Sequence, residues 1–189
     1  MIPLRYKDVK FEDVPAEIKV HFESMVQSRR GIYIYGPVGT GKTHILWALR
    51  KKRAEIAEDK KTENVMRSWF YNTTELLHKI RSDFNNKTED TLTDLLEYDG
   101  ILFLDDIGAE KITDWVQETF YMIINKRYEQ MLPTIFTSNL PIADLAERIG
   151  DRTASRIVEM CEIIKLDGKD RRLETQEHLI GKEESKLKN

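Results

Sequence analysis

Apolar positions along the chain recur with two different periods. Four short runs, Ile32-Tyr33-Ile34-Tyr35, Ser68-Trp69-Phe70-Tyr71, Ile101-Leu102-Phe103-Leu104 and Thr134-Ile135-Phe136-Thr137, are apolar, aromatic or β-branched at nearly every position. Such runs predict strands, and continuous apolarity is the mark of strands buried on both faces of a parallel sheet. Glu162-Ile163-Ile164-Lys165-Leu166, closed by Asp167-Gly168, predicts a fifth. Between the runs the spacing changes to three and four. Ile18, Phe22, Met25 and Val26 recur in this way, as do Ile45, Leu46, Leu49 and Ile56. So do Leu76, Leu77, Ile80 and Phe84, then Leu92, Leu95 and Leu96, then Trp115, Val116, Phe120, Ile123, Ile124 and Met131. Each set predicts one side of a helix. Pro15 opens the first helix, and the second runs from Lys42 to about Glu58. Asn85-Asn86-Lys87 breaks the third, Asp99-Gly100 ends the fourth and Pro133 stops the fifth. Residues 141–160 read as helical with a break near Gly150, residues 59–64 as a polar loop and residues 174–189 as a charged tail.

Strands that alternate with helices predict an α/β fold, a five-stranded parallel sheet flanked by helices on both faces. Ligands of such sheets sit at the carboxyl ends of strands. The polar groups of chemical interest fall there: residues 36–43 after the first strand, Asp105-Asp106 after the third, Asn139 after the fourth.

Gly36-Pro37-Val38-Gly39-Thr40-Gly41-Lys42-Thr43, followed by His44, fits G-x-x-x-x-G-K-[ST], the P-loop pattern, in its required setting of strand, glycine-rich turn and helix. The glycines let backbone N–H groups turn inward, and with the positive end of the new helix they form an anion cradle. Lys42 is placed to reach the β- and γ-phosphates of a nucleotide and the Thr43 hydroxyl to bind Mg²⁺. The competing reading is an ordinary glycine-rich turn. Asp105 stands at the Walker B position, where an acid holds the metal, and Asp106 is the natural base for an attacking water; an Asp pair that merely caps the next helix is the alternative. Asn139 suits contact with the γ-phosphate or the water, against the plainer role of a turn residue before Leu140-Pro141.

Two basic features are more ambiguous. Arg152 and Arg156, four residues apart, share one helix face, which in isolation reads as a solvated surface. Arg171-Arg172, past the fifth strand, could close over a nucleotide or be surface charge. Phe11 and Val14 are candidates for covering the nucleotide base, with plain core as the alternative.

Composition narrows the class. A chain of 189 residues supports one good core. With 40% hydrophobic and 33% charged residues it is a globular composition, and a net charge of −3 offers no global attraction to nucleic acid, so any basic surface must be local. The single cysteine, Cys161, excludes an internal disulfide, and with no apolar N-terminal stretch the expectation is a cytoplasmic protein.

Four motifs come in one order: the P-loop at 36–43, Ile-Leu-Phe-Leu-Asp-Asp-Ile-Gly at 101–108, Thr-Ile-Phe-Thr-Ser-Asn-Leu at 134–140 and Gly-Asp-Arg-Thr-Ala-Ser-Arg-Ile at 150–157. Together they resemble the AAA+ (RecA-like P-loop NTPase) domain of DnaC/DnaI-type replicative helicase loaders, a pattern shared by IstB-type transposition helper ATPases. The resemblance covers residues 5–173. It implies an ATPase that uses ATP and Mg²⁺, slow alone because Asp106 stands where many relatives carry Glu, and stimulated by assembly. Asn139 matches sensor 1, Arg156 the arginine finger that acts on a neighbouring subunit's ATP with Arg152 beside it, and Arg172 sensor 2. A finger supplied in trans implies self-assembly. The implied partners are a hexameric replicative helicase and single-stranded DNA, the latter along residues 73–98 with Lys79, Arg81 and Lys87 as phosphate contacts; a wet helix face is the plainer reading of those three. The implied organisation is an N-terminal segment and helix (1–30), an AAA+ domain (31–173) and the charged tail (174–189). Such loaders usually carry a further N-terminal domain that grips the helicase, whereas here residues 1–30 alone precede the first strand. The alternatives are a transposition helper that acts on duplex DNA with a transposase, and a small-molecule P-loop kinase, for which no Arg-rich lid is visible.

Overall fold

Strand residues alternate between two interiors. In β1 (Gly31–Tyr35), Ile32 and Ile34 face one side and Tyr33 the other; in β3 (Ile101–Asp105), Ile101 and Phe103 oppose Leu102 and Leu104; in β4 (Thr134–Ser138), Ile135 opposes Phe136. This follows from the two-residue period of a pleated strand. All of these side chains are fully buried, so the continuous apolar runs are apolar because both faces are covered. The computed structural model describes residues 2–59, 67–86 and 90–168.

β2 (Ser68–Asn72) and β5 (Cys161–Lys165) complete a sheet in the order β2-β3-β4-β1-β5, in which all neighbouring strands run parallel. On one face lie α1 (Ala16–Ser28) and α2 (Lys42–Asp59), which bury Ile18, Phe22, Met25, Leu46 and Leu49. On the other lie α3 (Thr73–Asn86), α4 (Thr91–Glu97), α5 (Asp114–Glu129), α6 (Ile142–Ile149) and α7 (Asp151–Met160). The five-stranded parallel sheet with helices on both faces is thus the architecture the alternation predicts. β4 lies at its centre, between the strand that leads into the glycine-rich turn and the strand that ends in Asp105.

The helices depart from the predicted faces at their ends. The face of α3 is covered as far as Ile80, and Phe84, one turn on, is 85% exposed. Val26 sits at the exposed edge of α1. α5 ends at Glu129, before Met131, which adopts a left-handed φ of 50° and is mostly exposed. The polar loop after Asp59 and the charged tail 174–189 lie outside the described residues. Among the described residues, no helix is long and apolar enough to cross a membrane.

The amino ends of the strands are pinned by a group the periodicity does not reveal. Arg127, on the inner face of α5, is 1% exposed. Its Nε donates to Thr134 Oγ1 at 2.6 Å, Nη1 to the Tyr98 carbonyl at 3.2 Å, and Nη2 to the carbonyls of Gly100 and Pro133 at 2.6 and 3.0 Å. A buried cation is tolerated when its donors are satisfied in this way. Burial still lowers its pKa to about 10.

Candidate nucleotide site

The turn between β1 and α2 begins at Gly36 and reaches the helix at Lys42. Gly39 and Gly41 adopt φ of 81° and 98°, values that only glycine takes readily, and so the loop can wrap with its N–H groups inward. The Thr40 hydroxyl donates to the Pro37 carbonyl at 2.9 Å and closes the turn. Lys42 is 7% exposed, and its Nζ donates to the carbonyls of Gly36 and Pro37 at 2.8 Å each. The ammonium therefore lies within the cradle and not in solvent.

Across from the loop, Asp105 ends β3 with 6% exposure. Its Oδ1 accepts from Thr43 Oγ1 at 3.2 Å and from Thr137 Oγ1 at 2.5 Å. Burial raises its carboxyl above the usual carboxylate range, and the two hydroxyls pull in the opposite direction. The pairing fits a magnesium ion: a hydroxyl and a carboxylate oxygen are both hard donors. Among the described residues no cluster of three or more His, Cys, Asp or Glu forms a metal cage. Phosphate and water oxygens would fill the remaining positions, which is how Mg²⁺ is usually held beside a nucleotide.

Asp106 turns sharply out of β3 with φ 60°, a left-handed conformation that Asp tolerates better than bulkier residues. Its N–H donates to Thr137 Oγ1 at 2.9 Å, and its Oδ1 accepts from Asn139 Nδ2 at 2.8 Å. Asn139 is held in turn. Tyr33 donates its hydroxyl to the Leu140 carbonyl at 2.7 Å, Ser138 Oγ donates to the Ile107 carbonyl at 2.6 Å, and Leu140 N–H donates back to Ser138 Oγ at 3.1 Å. Burial pushes the Tyr33 phenol far up, so it stays a donor. Thr43, Asp105, Asp106 and Asn139 therefore belong to one hydrogen-bonded chain at the carboxyl ends of three strands, with Lys42 beside Thr43 at the start of α2.

The remaining candidates divide. Val14 is core, and with Arg5, Asp8, Asp13 and His44 it also lines a cavity of about 280 Å³ beside the start of α2. His44 meets Tyr6 edge-on at 4.9 Å. Phe11 does not line this cavity. It packs on Phe22 at 5.8 Å, with the Lys19 and Lys52 ammonium groups over its ring. Arg156 makes none of its described contacts with the loop or the two aspartates. Its guanidinium lies over Tyr121 and Tyr128 at 5.1 and 5.6 Å, and Nη1 donates to the Arg152 carbonyl at 3.0 Å. Lys79 and Arg81 are exposed on α3, with Arg81 over the Trp115 ring at 4.4 Å. Lys87, Arg171 and Arg172 lie outside the described residues.

Sequence reading missed Thr137, Tyr33 and Glu110. Thr137 could have been found, because it occupies the last inward position of a strand whose next residues are Ser138-Asn139. Glu110 gives no signal in the sequence. Its Oε2 accepts from Gly108 N–H at 2.9 Å while Oε1 is buried with no hydrogen-bond partner among the described residues, and burial raises its carboxyl.

The sequence profile of the IstB-like ATP binding proteins matches residues 17–178. The replicative helicase loader DnaI of Bacillus subtilis (strain 168) is 29% identical over 156 residues, which are 76% of this chain and 48% of DnaI, so the chain spans about half that relative's length. Among solved structures, the DnaC helicase loader superposes with a TM-score of 0.73 at 26% identity, covering 87% of this chain and all of that one. The replication initiator DnaA, solved with AMPPCP and single-stranded DNA, shares the fold at TM-score 0.71 and 19% identity, over 88% of this chain and 52% of that one.

Proposed function

This chain belongs to the family of IstB-like ATP binding proteins with an AAA+ P-loop fold, and from that premise we propose that it is an ATP-hydrolysing helicase loader of DNA replication. The observation that carries the catalytic half of this reading is the single hydrogen-bonded chain from Thr43 through Asp105 and Thr137 to Asp106 and Asn139. The replication half rests on the likeness to DnaI and DnaC.

The residues would divide the work as follows. The loop from Gly36 to Thr43 cradles the phosphates through its N–H groups, and Lys42 offsets their charge. Thr43 and Asp105 hold Mg²⁺, which when bound neutralises charge on the β- and γ-oxygens. Asp106 accepts a proton from the attacking water, and Asn139 keeps that carboxylate oriented. The cavity lined by Val14 and His44 receives the base. Arg156 is supplied by a neighbouring copy to the transition-state charge, and Arg172 serves the copy's own nucleotide. Turnover is then coupled to assembly. Single-stranded DNA and a replicative helicase are the partners this reading assigns, with Lys79 and Arg81 as DNA contacts.

A transposition helper acting on duplex DNA is the second reading, favoured by the family match itself. The test is fluorescence anisotropy with single- and double-stranded oligonucleotides, with and without ATP, alongside phosphate release. ATP-dependent preference for single strands supports the loader, preference for duplex supports the helper, and indifference to both overturns the two DNA readings. Co-purification with a replicative helicase or a transposase then identifies the partner.

A further inference from the structure

We propose that Thr137 is a positioning residue that sets the metal-holding and water-activating aspartates against each other through one hydroxyl; the inference rests on the nucleotide-site reading above. A threonine hydroxyl has a single proton and two lone pairs. At Thr137 the proton goes to Asp105 Oδ1 at 2.5 Å, and the oxygen accepts the N–H of Asp106 at 2.9 Å. The residue's backbone carbonyl accepts the N–H of Ile107 at 2.9 Å. Thr137 thus contacts three consecutive residues, 105 to 107, and is itself 1% exposed, so no water competes for these bonds. Its position is fixed by the sheet: β4 lies between β1 and β3, and Thr137 pairs with Ile34 of β1.

Two consequences follow for the chemistry. One Asp105 oxygen is committed to a donor on the protein side, so the carboxylate is presented in one orientation. The left-handed turn at Asp106, which aims its side chain at Asn139, is anchored at its N–H by the same oxygen. Removing the hydroxyl loosens both carboxylates together, although Thr137 itself is buried behind them.

Thr137→Val keeps the shape and deletes the hydroxyl; Thr137→Ser keeps the hydroxyl and deletes the methyl. Binding of a fluorescent ATP analogue is measured against Mg²⁺ concentration and in EDTA, with phosphate release alongside. For Thr137→Val the half-saturating Mg²⁺ rises about tenfold and kcat falls, while affinity in EDTA is unchanged, since partners that orient a ligand typically carry that much metal affinity. Thr137→Ser restores both. A folded Thr137→Val with wild-type Mg²⁺ dependence overturns the inference, and so does a folded Thr137→Ser as defective as valine. If the valine variant does not fold, the serine variant decides by the same criterion. A wild-type protein whose nucleotide binding ignores Mg²⁺ overturns the site reading itself, an outcome distinct from the other two.

Discussion

The carboxamide of Asn139 donates to the carboxylate of Asp106 at 2.8 Å, joining the turn after β4 to the turn after β3. This bond occupies Oδ1 of Asp106, and among the described residues Oδ2 has no hydrogen bond. Asp106→Asn is expected to retain ATP affinity and to lose turnover by about 10²-fold or more, the usual contribution of a general base. Asn139→Ala should lower kcat by less. Single-turnover phosphate release beside equilibrium nucleotide binding separates the two effects, and an Asp106→Asn variant with wild-type kcat refutes the assignment.

Lys42→Ala removes the ammonium that bridges the Gly36 and Pro37 carbonyls. Charged hydrogen bonds contribute about 1.5–3 kcal/mol each, so ATP affinity should fall roughly 10- to 100-fold. The circular dichroism spectrum should not change. Calorimetric titration with ATP checks this, and retained affinity counts against the phosphate role.

Arg156→Ala loses the contacts with Tyr121 and Tyr128 and, on the trans reading, the charge delivered to a neighbour. Nucleotide affinity of the isolated chain should be unchanged, while assembly-stimulated turnover falls by about 10³-fold. Mixed with Asp106→Asn, it should recover activity, because each variant supplies what the other lacks. Absence of any recovery refutes action in trans.

Arg127→Met leaves the carbonyls of Tyr98, Gly100 and Pro133 without the donor that each now has from Arg127. Unpaired buried groups cost about 1–3 kcal/mol each, partly relieved by the lost desolvation of the cation, so a destabilisation of about 3–5 kcal/mol is expected. The melting temperature should drop by roughly 10 °C. A thermal melt is the measurement.

Tyr98 is buried, its hydroxyl has no hydrogen-bond partner among the described residues, and burial pushes its pKa up to about 12. The unfolded chain ionises near pH 10. Above that pH the unfolded state binds fewer protons than the folded one, so the contribution of Tyr98 is fully present below pH 10 and lost between about 10 and 12. Tyr98→Phe should be neutral or stabilising at pH 7 and should flatten the fall in melting temperature between pH 9 and 11. An unchanged alkaline slope excludes Tyr98 as its source.

The elements were legible because both faces of the sheet are covered: Ile101-Leu102-Phe103-Leu104, short and bounded by Asp99-Gly100 and Asp105-Asp106, reads as a buried strand, and the glycine spacing at 36–41 fixes the turn that follows β1. What could not be read is where coverage stops. Phe84 continues the spacing of Ile80 yet lies in solvent, because periodicity records the angle of a residue around its helix and not whether anything packs there. Asp105, Asp106 and Asn139 were recognisable by their positions at strand ends. Thr137 shares that signal, one position inside the strand end before Ser138-Asn139, and was missed; Arg127 carries none, since a helix arginine is ordinary until three-dimensional neighbours reveal its partners.

Arg127 gathers the amino ends of the strands, and the glycine-rich loop, Asp105 and Asp106 occupy the carboxyl ends. A five-residue strand spans about 16 Å, beyond the distance at which substitutions usually influence one another. Robustness and the proposed turnover should therefore be separable: the molecule can be made sturdier from below without disturbing the candidate site above.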